Sequence, residues 1–301
     1  MKSQKTFFNS LLVISSLLGA SIVSEKPAFS ETSSGPECLD PSTTTVTSIN
    51  DMGDSTSFYN LTLDPATGFG GFCRGTPESY GVTVYKMGFC KNDPGDPDGA
   101  SGEVRAGLLP DYSDCTWTYD NDTGELAEFS SGGTVDLSAL HASPPAVGVY
   151  PHAVMIISKD FRIKGSFGPV GGKTYYSTST FEVSSNNPAD NVAVTAPLTT
   201  FWDNCTAITE ENTVDGGTID AYLLDSSGKI LVNNDSIDEC TGQERLLGVM
   251  NMSSDLVITP TTRGLNMTFK VENNGMSVNC NDDCTDIIFD SGPFSVVFDT
   301  F

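Results

Sequence analysis

The chain has 301 residues, of which 39 are Asp or Glu, 15 are Lys or Arg and only two are His, for a formal net charge of −24. A surface this negative repels phosphate backbones and anionic lipid, which argues against nucleic-acid and membrane-surface binding. Eight cysteines, an even number, point to disulfides in an oxidising compartment.

Residues 1–30 have the layout of an export signal. MKSQK carries the positive charge, FFNSLLVISSLLGASIV is the apolar run, and Ala28-Phe29-Ser30 places small residues for cleavage after Ser30. Removing this stretch takes Lys2, Lys5, Lys26 and Glu25, leaving 12 basic and 38 acidic residues and a net charge near −26. No later run approaches about eighteen apolar residues, so no transmembrane segment is expected in the mature chain. The expected location is secreted or cell-surface.

Beyond residue 30 the hydrophobic pattern has period two. TSFYNLTL, SYGVTVYKMGFC, AVMIIS, KTYYSTSTFEV, LNMTFKV and PFSVVF are short, rich in β-branched and aromatic residues, and bounded by Gly, Pro, Asn or Asp. In SYGVTVYKMGFC, strict alternation sends Val82 and Val84 one way, and Tyr85, Met87 and Phe89 the other. Two hairpins are predicted. TIDAYLLDSSGKILVNN turns at Asp225-Ser226-Ser227-Gly228, and FKVENNGMSVN turns at Asn274-Gly275 with type I′ chemistry. No amphipathic helical pattern appears. The expected fold is all-β, an antiparallel, disulfide-bonded β-sandwich of jelly-roll type over 31–301, with a candidate subdivision at SSNNPADN, 184–191. An outer-membrane barrel fits poorly, because Asp299 would share the lipid face with Phe301 while Phe294, Val296 and Phe298 point the other way.

Few motifs carry chemistry. Asp122-Thr123-Gly124 and Asp290-Ser291-Gly292 imitate aspartic-protease triplets, but both are expected to be Asx turns. Serine-hydrolase, zincin and P-loop motifs are missing, and His141 and His152 read as structural. A glycosidase needs only two carboxylates, yet nothing singles out a pair. Zinc is disfavoured, since no C-x-x-C occurs and both histidines lie far from cysteine. KNDPGDPDGASGE, residues 91–103, offers Asp93, Asp96 and Asp98 as candidate calcium ligands, although the EF-hand register fails at Pro94 and Arg105. The competing reading is a solvated crossing. Lys159, Arg162 and Lys164 gather much of the scarce positive charge, a candidate self-association patch.

TPESYGVTVYKMGFCKNDP, the cysteine in DCTWTYDNDTGE and the stretch GVYPHAVMIISKDFRIKGSF resemble secreted, uncharacterised proteins of marine microbes over roughly 75–180. That resemblance carries no function across. It implies a disulfide between Cys90 and Cys115, closing the acidic loop. Their placement at the end of one strand and the start of the next agrees with it. The remaining pairings, Cys38–Cys73, Cys205–Cys240 and Cys280–Cys284, follow from nearest available neighbours.

The expected role is a non-enzymatic structural or interaction protein outside the cell, self-associating into an oligomer or filament. The alternative is a glycan-binding or adhesion module, with Trp117, Trp202, Tyr175 and Tyr176 as stacking faces and calcium in support. A carbohydrate-active hydrolase or lyase comes third. No cofactor is required on any of these readings; calcium is a candidate ligand that would assist the second.

Overall fold

The computed structural model describes residues 38, 72–96, 106–130, 145–199, 205–207, 213–214, 216–232, 240–280, 286–292 and 294–301. The export signal, TSFYNLTL, Asp98, His141, Trp202 and Cys284 lie outside the described residues. So does the Cys280–Cys284 pairing.

The strands in chain order are β1 (Phe72–Gly75), β2 (Ser79–Cys90), β3 (Cys115–Ser130), β4 (Gly148–Lys164), β5 (Ser166–Val170), β6 (Lys173–Ser177), β7 (Ser184–Ser185) and β8 (Val194–Pro197). They continue with β9 (Thr206–Ala207), β10 (Thr213–Val214), β11 (Gly217–Asp225), β12 (Gln243–Ile258), β13 (Leu265–Lys270), β14 (Met276–Cys280), β15 (Ile287–Ser291) and β16 (Ser295–Thr300). The only helical turn among the described residues is a 3-10 turn at Pro188–Asp190. The all-β expectation holds.

The large sheet runs β10-β11-β12-β4-β2-β3, with β8 added to β4 and β9 to β11. Three small sheets, β1-β14-β15, β13-β16 and β5-β6-β7, pack over one of its faces. All the pairings are antiparallel. Aromatic rings bridge the layers: Tyr80 meets Phe294 at 5.9 Å, Phe129 meets Phe269 at 5.0 Å and Phe89 meets Phe298 at 5.2 Å between centroids. Each such ring, once buried, contributes about 1.5–3 kcal/mol by leaving water. The arrangement is sandwich-like. Strands from both sides of 184–191 build the large sheet, so the candidate boundary runs between elements that share one core.

Two local expectations fail for identifiable reasons. Met87 and Phe89 do not oppose Val82 and Val84; all four belong to the same core. Against β4, Val84 and Lys86 pair with the consecutive residues Ile157 and Ile156, so Tyr85 is the extra residue of a bulge and the alternation changes phase there. The Asn274-Gly275 hairpin is also absent. β13 pairs with β16 whereas β14 pairs with β1 and β15, so this turn carries the chain from one sheet to another. Its left-handed residue is Asn273, at φ 57°, and the N–H of Gly275 closes it onto the Val271 carbonyl at 2.8 Å. By contrast the Asp225–Gly228 turn forms, with the Asp225 carboxylate accepting from the Ser227 and Lys229 N–H groups at 2.8 and 2.9 Å.

Three disulfides brace the fold: Cys38–Cys73, Cys90–Cys115 and Cys205–Cys240. These are the pairings expected for the six cysteines concerned. Cys90 and Cys115 stand opposite each other at the end of the β2–β3 ladder. Closing a loop of about 25 residues removes roughly 3.5 kcal/mol of chain entropy from the unfolded state.

Candidate functional site

The second face of the large sheet carries a smaller core of Val154, Ile156, Tyr222, Leu224, Leu247 and Val249, together with Cys90 and Ile230. The segment after Cys90 folds over it. Pro94 and Gly95 are buried, and the Pro94 carbonyl accepts the Asp111 N–H at 2.8 Å. Gly95 lies on the ring of Tyr222 so closely that a Cβ there would enter it. The solvated-crossing expectation holds at Lys91 and Asn92, which are exposed, and fails at Pro94 and Gly95, which are packed; residues 97–103 lie outside the described residues, and the described part of the loop begins a cap. Its lack of large apolar residues reflects backbone packing on an aromatic ring rather than exposure.

A polar relay runs from the sheet into this cap. On β4, His152 Nδ1 meets Asn251 Oδ1 of β12 at 2.7 Å, its register partner. The Asn251 amide donates to Asp220 Oδ2 on β11 at 2.6 Å. Asp220 is 8% exposed and in hydrogen-bond contact with the Asp93 carboxyl. Tyr222 donates its hydroxyl towards Asp93 at 3.4 Å, and the Asp93 carboxylate also accepts from the N–H groups of Gly95 and Asp96 at 2.7 and 3.1 Å. Burial is the largest cause raising Asp220, to about 6; Asp93 and Asp96 add to it, and the Asn251 amide opposes it. Burial likewise raises Asp93 and Tyr222 above their ordinary ranges. Two neighbouring carboxyls are costly to charge together, and the Asp93 carboxyl accordingly adds to the rise of Asp220.

Asp93 and Asp96 thus lie together, and Asp96 Oδ1 is buried without a hydrogen-bond partner in the structure. Among the described residues, however, no group of three or more His, Cys, Asp or Glu side chains is arranged to hold a metal ion. The contribution of Asp220 was not legible in the sequence, because it stands on a strand distant in sequence from the acidic loop. Its only local signal was an aspartate inside the apolar run TIDAYLL.

A second polar row crosses the small sheet. Arg74, Ser277 and Asp290 are register neighbours on β1, β14 and β15, and are 1%, 1% and 2% exposed. Burial raises Asp290 to about 7 and lowers Arg74 to about 10, while the attraction between the two opposes both shifts. The expected Asx turn at Asp290 is a buried strand end instead; its carboxylate accepts the Ser291 N–H at 2.7 Å. At Asp122 the turn exists, but Asn121 supplies the accepting side chain, taking the Thr123 N–H at 3.1 Å. Asp122 is exposed on β3 of the large sheet and Asp290 is buried in the small one, so the two triplets form no protease pair.

Of the candidate stacking faces, Trp117 and Tyr175 are engaged, Tyr176 is half-buried and Trp202 lies outside the described residues. Trp117 packs edge-on to Tyr112 at 5.2 Å, with Lys86 Nζ 5.6 Å from its ring centre, and Tyr175 belongs to the core. The basic patch is also partly engaged: Lys159 pairs with Asp160 at 2.8 Å and Lys164 with Glu78 at 3.4 Å, while Arg162 between them is exposed.

No family model matches this chain, and no curated protein or solved structure matches it. Among the described residues no helix is long and apolar enough to cross a membrane. The functional reading therefore rests on the geometry alone.

Proposed function

We propose that this chain is an exported structural or interaction protein, and that its unusual carboxyls hold the fold together rather than act on a substrate. The observation that carries this reading is the inward placement of those carboxyls. Asp220 and Asp93 tie the cap to the sheet through Asn251 and Tyr222, and Asp290 faces Arg74 inside the small sheet. An active carboxylate must reach a substrate, whereas these reach other parts of the chain. Disulfides that pin separate segments suit a protein that must persist outside the cell.

The test combines imaging with an activity screen. Secreted protein is examined by negative-stain microscopy and sedimentation at low and high salt, then offered a panel of polysaccharides. Assemblies without substrate turnover are expected. Turnover abolished by Asp220→Asn or Asp93→Asn would replace this reading with a hydrolase or lyase. A monomer at every concentration and salt would remove self-association from it.

A further inference from the structure

Asn191, which ends the 3-10 turn at Pro188–Asp190, does not point its side chain into solvent alone. Its amide nitrogen donates to both oxygens of Glu78, at 2.9 and 3.0 Å. Lys164 Nζ stands 3.4 Å from Oε2 of the same carboxylate, so amine and amide meet on one oxygen. The Asn191 carbonyl oxygen faces the hydroxyl of Ser177, 3.3 Å away, a side chain only 1% exposed. That hydroxyl also lies 2.7 Å from the Val192 carbonyl and accepts the Gly165 N–H at 3.1 Å, which fixes its position. The backbone holds the other partners. The Glu78 N–H donates to the Lys164 carbonyl at 2.7 Å, and Ser166 Oγ donates to Glu78 Oε1 at 3.1 Å.

An amine, a primary amide and a carboxylate bonded to both are the parts needed to join lysine to asparagine. We propose that Lys164 and Asn191 become linked by an intramolecular amide bond formed on Glu78. The neutral Lys164 amine attacks Cγ of Asn191 and an N–C bond forms. Glu78 takes the proton that Nζ releases and delivers it to Nδ2. The Cγ–Nδ2 bond then breaks and ammonia leaves; nothing is oxidised or reduced. Ser177 stands 3.3 Å from Oδ1 with its single proton directed at the nearer Val192 carbonyl, so it borders the Asn191 amide and is not a donor to the charge that develops there. The product would fasten the end of β4 to the segment leading into β8, beside the ladder in which Asp160–Ile163 pair with Val194–Pro197.

The exposure of the two charged side chains, 37% for Lys164 and 42% for Glu78, sets the kinetics. A lysine ammonium is not a nucleophile, so alkaline conditions, which release the free amine, speed the link. This is maturation on the timescale of storage outside the cell, and it is independent of whether the protein self-associates.

Intact-mass measurement tests it, on purified full-length secreted protein, fresh and after incubation in alkaline buffer. The expected result is loss of one ammonia, with proteolysis releasing a single branched peptide that contains both Lys164 and Asn191 and that a reductant does not separate. Lys164→Arg, which keeps the ion pair, should retain its full mass. Glu78→Gln should slow the loss by about 100-fold or more, the usual worth of a positioned proton carrier. Wild type that keeps its full mass after alkaline incubation overturns the proposal. So does an ammonia loss that maps to a succinimide elsewhere, or one that persists in Lys164→Arg.

Discussion

The backbone of Gly95 rests on the phenol ring of Tyr222, so that the acidic segment after Cys90 is held against the sheet by a contact only glycine can make. The contact explains why a stretch of Pro, Gly and Asp packs without a large side chain of its own. Tyr222 supplies the surface and its hydroxyl supplies a donor to Asp93.

Gly95→Ala should therefore lift the cap. Forcing a methyl group into a packed ring costs about 1–3 kcal/mol. Denaturant unfolding should show that loss, and limited proteolysis should cut between residues 91 and 115 sooner than in wild type. A Gly95→Ala protein with unchanged stability and unchanged cleavage would mean that the segment is not seated on Tyr222.

Breaking the Cys90–Cys115 bridge by a double Cys→Ser change should cost roughly 3.5 kcal/mol. It should also make the Asp93 and Asp220 interactions easier to lose, because the segment bearing Asp93 is tethered by that bridge. A cycle combining the double change with Asp220→Asn measures this. Strict additivity would show that the disulfide and the carboxyl relay act on separate parts of the fold.

The pH dependence should run opposite to that of a protein stabilised by surface ion pairs. Asp220, raised to about 6, and Asp290, raised to about 7, both bind protons more tightly in the native state than in the unfolded chain. Their contribution is complete below the ordinary carboxylate pKa and is lost as pH rises through those values. The melting temperature should accordingly be higher near about pH 5 than near about pH 8. Asp290→Asn should flatten the part lost around neutrality. Asp225 has the reverse sign: the Ser227 side chain and the Lys229 N–H lower it, so its contribution disappears only at stronger acidity. A melting temperature that climbs steadily from pH 5 to 8 would contradict the assignment.

The elements that were legible in the sequence are those set by local pattern. The β11 turn follows from an aspartate whose side chain can cap the N–H groups two and four residues on. Cys90 ends a strand that was itself visible by its pattern, whereas β3, which Cys115 opens, was not, because its polar YDNDTGE reads as a turn. What escaped depends on partners far along the chain. Strict alternation cannot register a bulge at Tyr85, because the extra residue is defined only by the register against β4. Turn chemistry at Asn273–Gly275 predicts a reversal but not which strands it joins. The relay escaped for the same reason, since Tyr222 and Asp93 are 129 positions apart and neither belongs to a recognisable motif.

The basic strip on β4 yields the last prediction. Lys159 and Lys164 already have carboxylate partners, Asp160 and Glu78, within 4 Å. Exposed pairs of this kind contribute only about 0.2–1 kcal/mol each, so Lys159→Gln should barely change stability or association. Arg162 differs. Its side chain is exposed on β4, between Gly81 across one ladder and the exposed Thr195 across the other. If copies of this acidic protein meet through the strip, Arg162 is the charge that points outward to a neighbour's carboxylates. Arg162→Glu should then weaken association at low salt, where the Debye length is longest, and matter little at high salt. Sedimentation of wild type and variant at both salts decides the point. Equal association of the two at low salt would move the contact elsewhere, though not to a β3 edge paired with its own copy. There Asp120, Asp122, Glu125 and Glu128 stand exposed and would repel a second copy of the same edge.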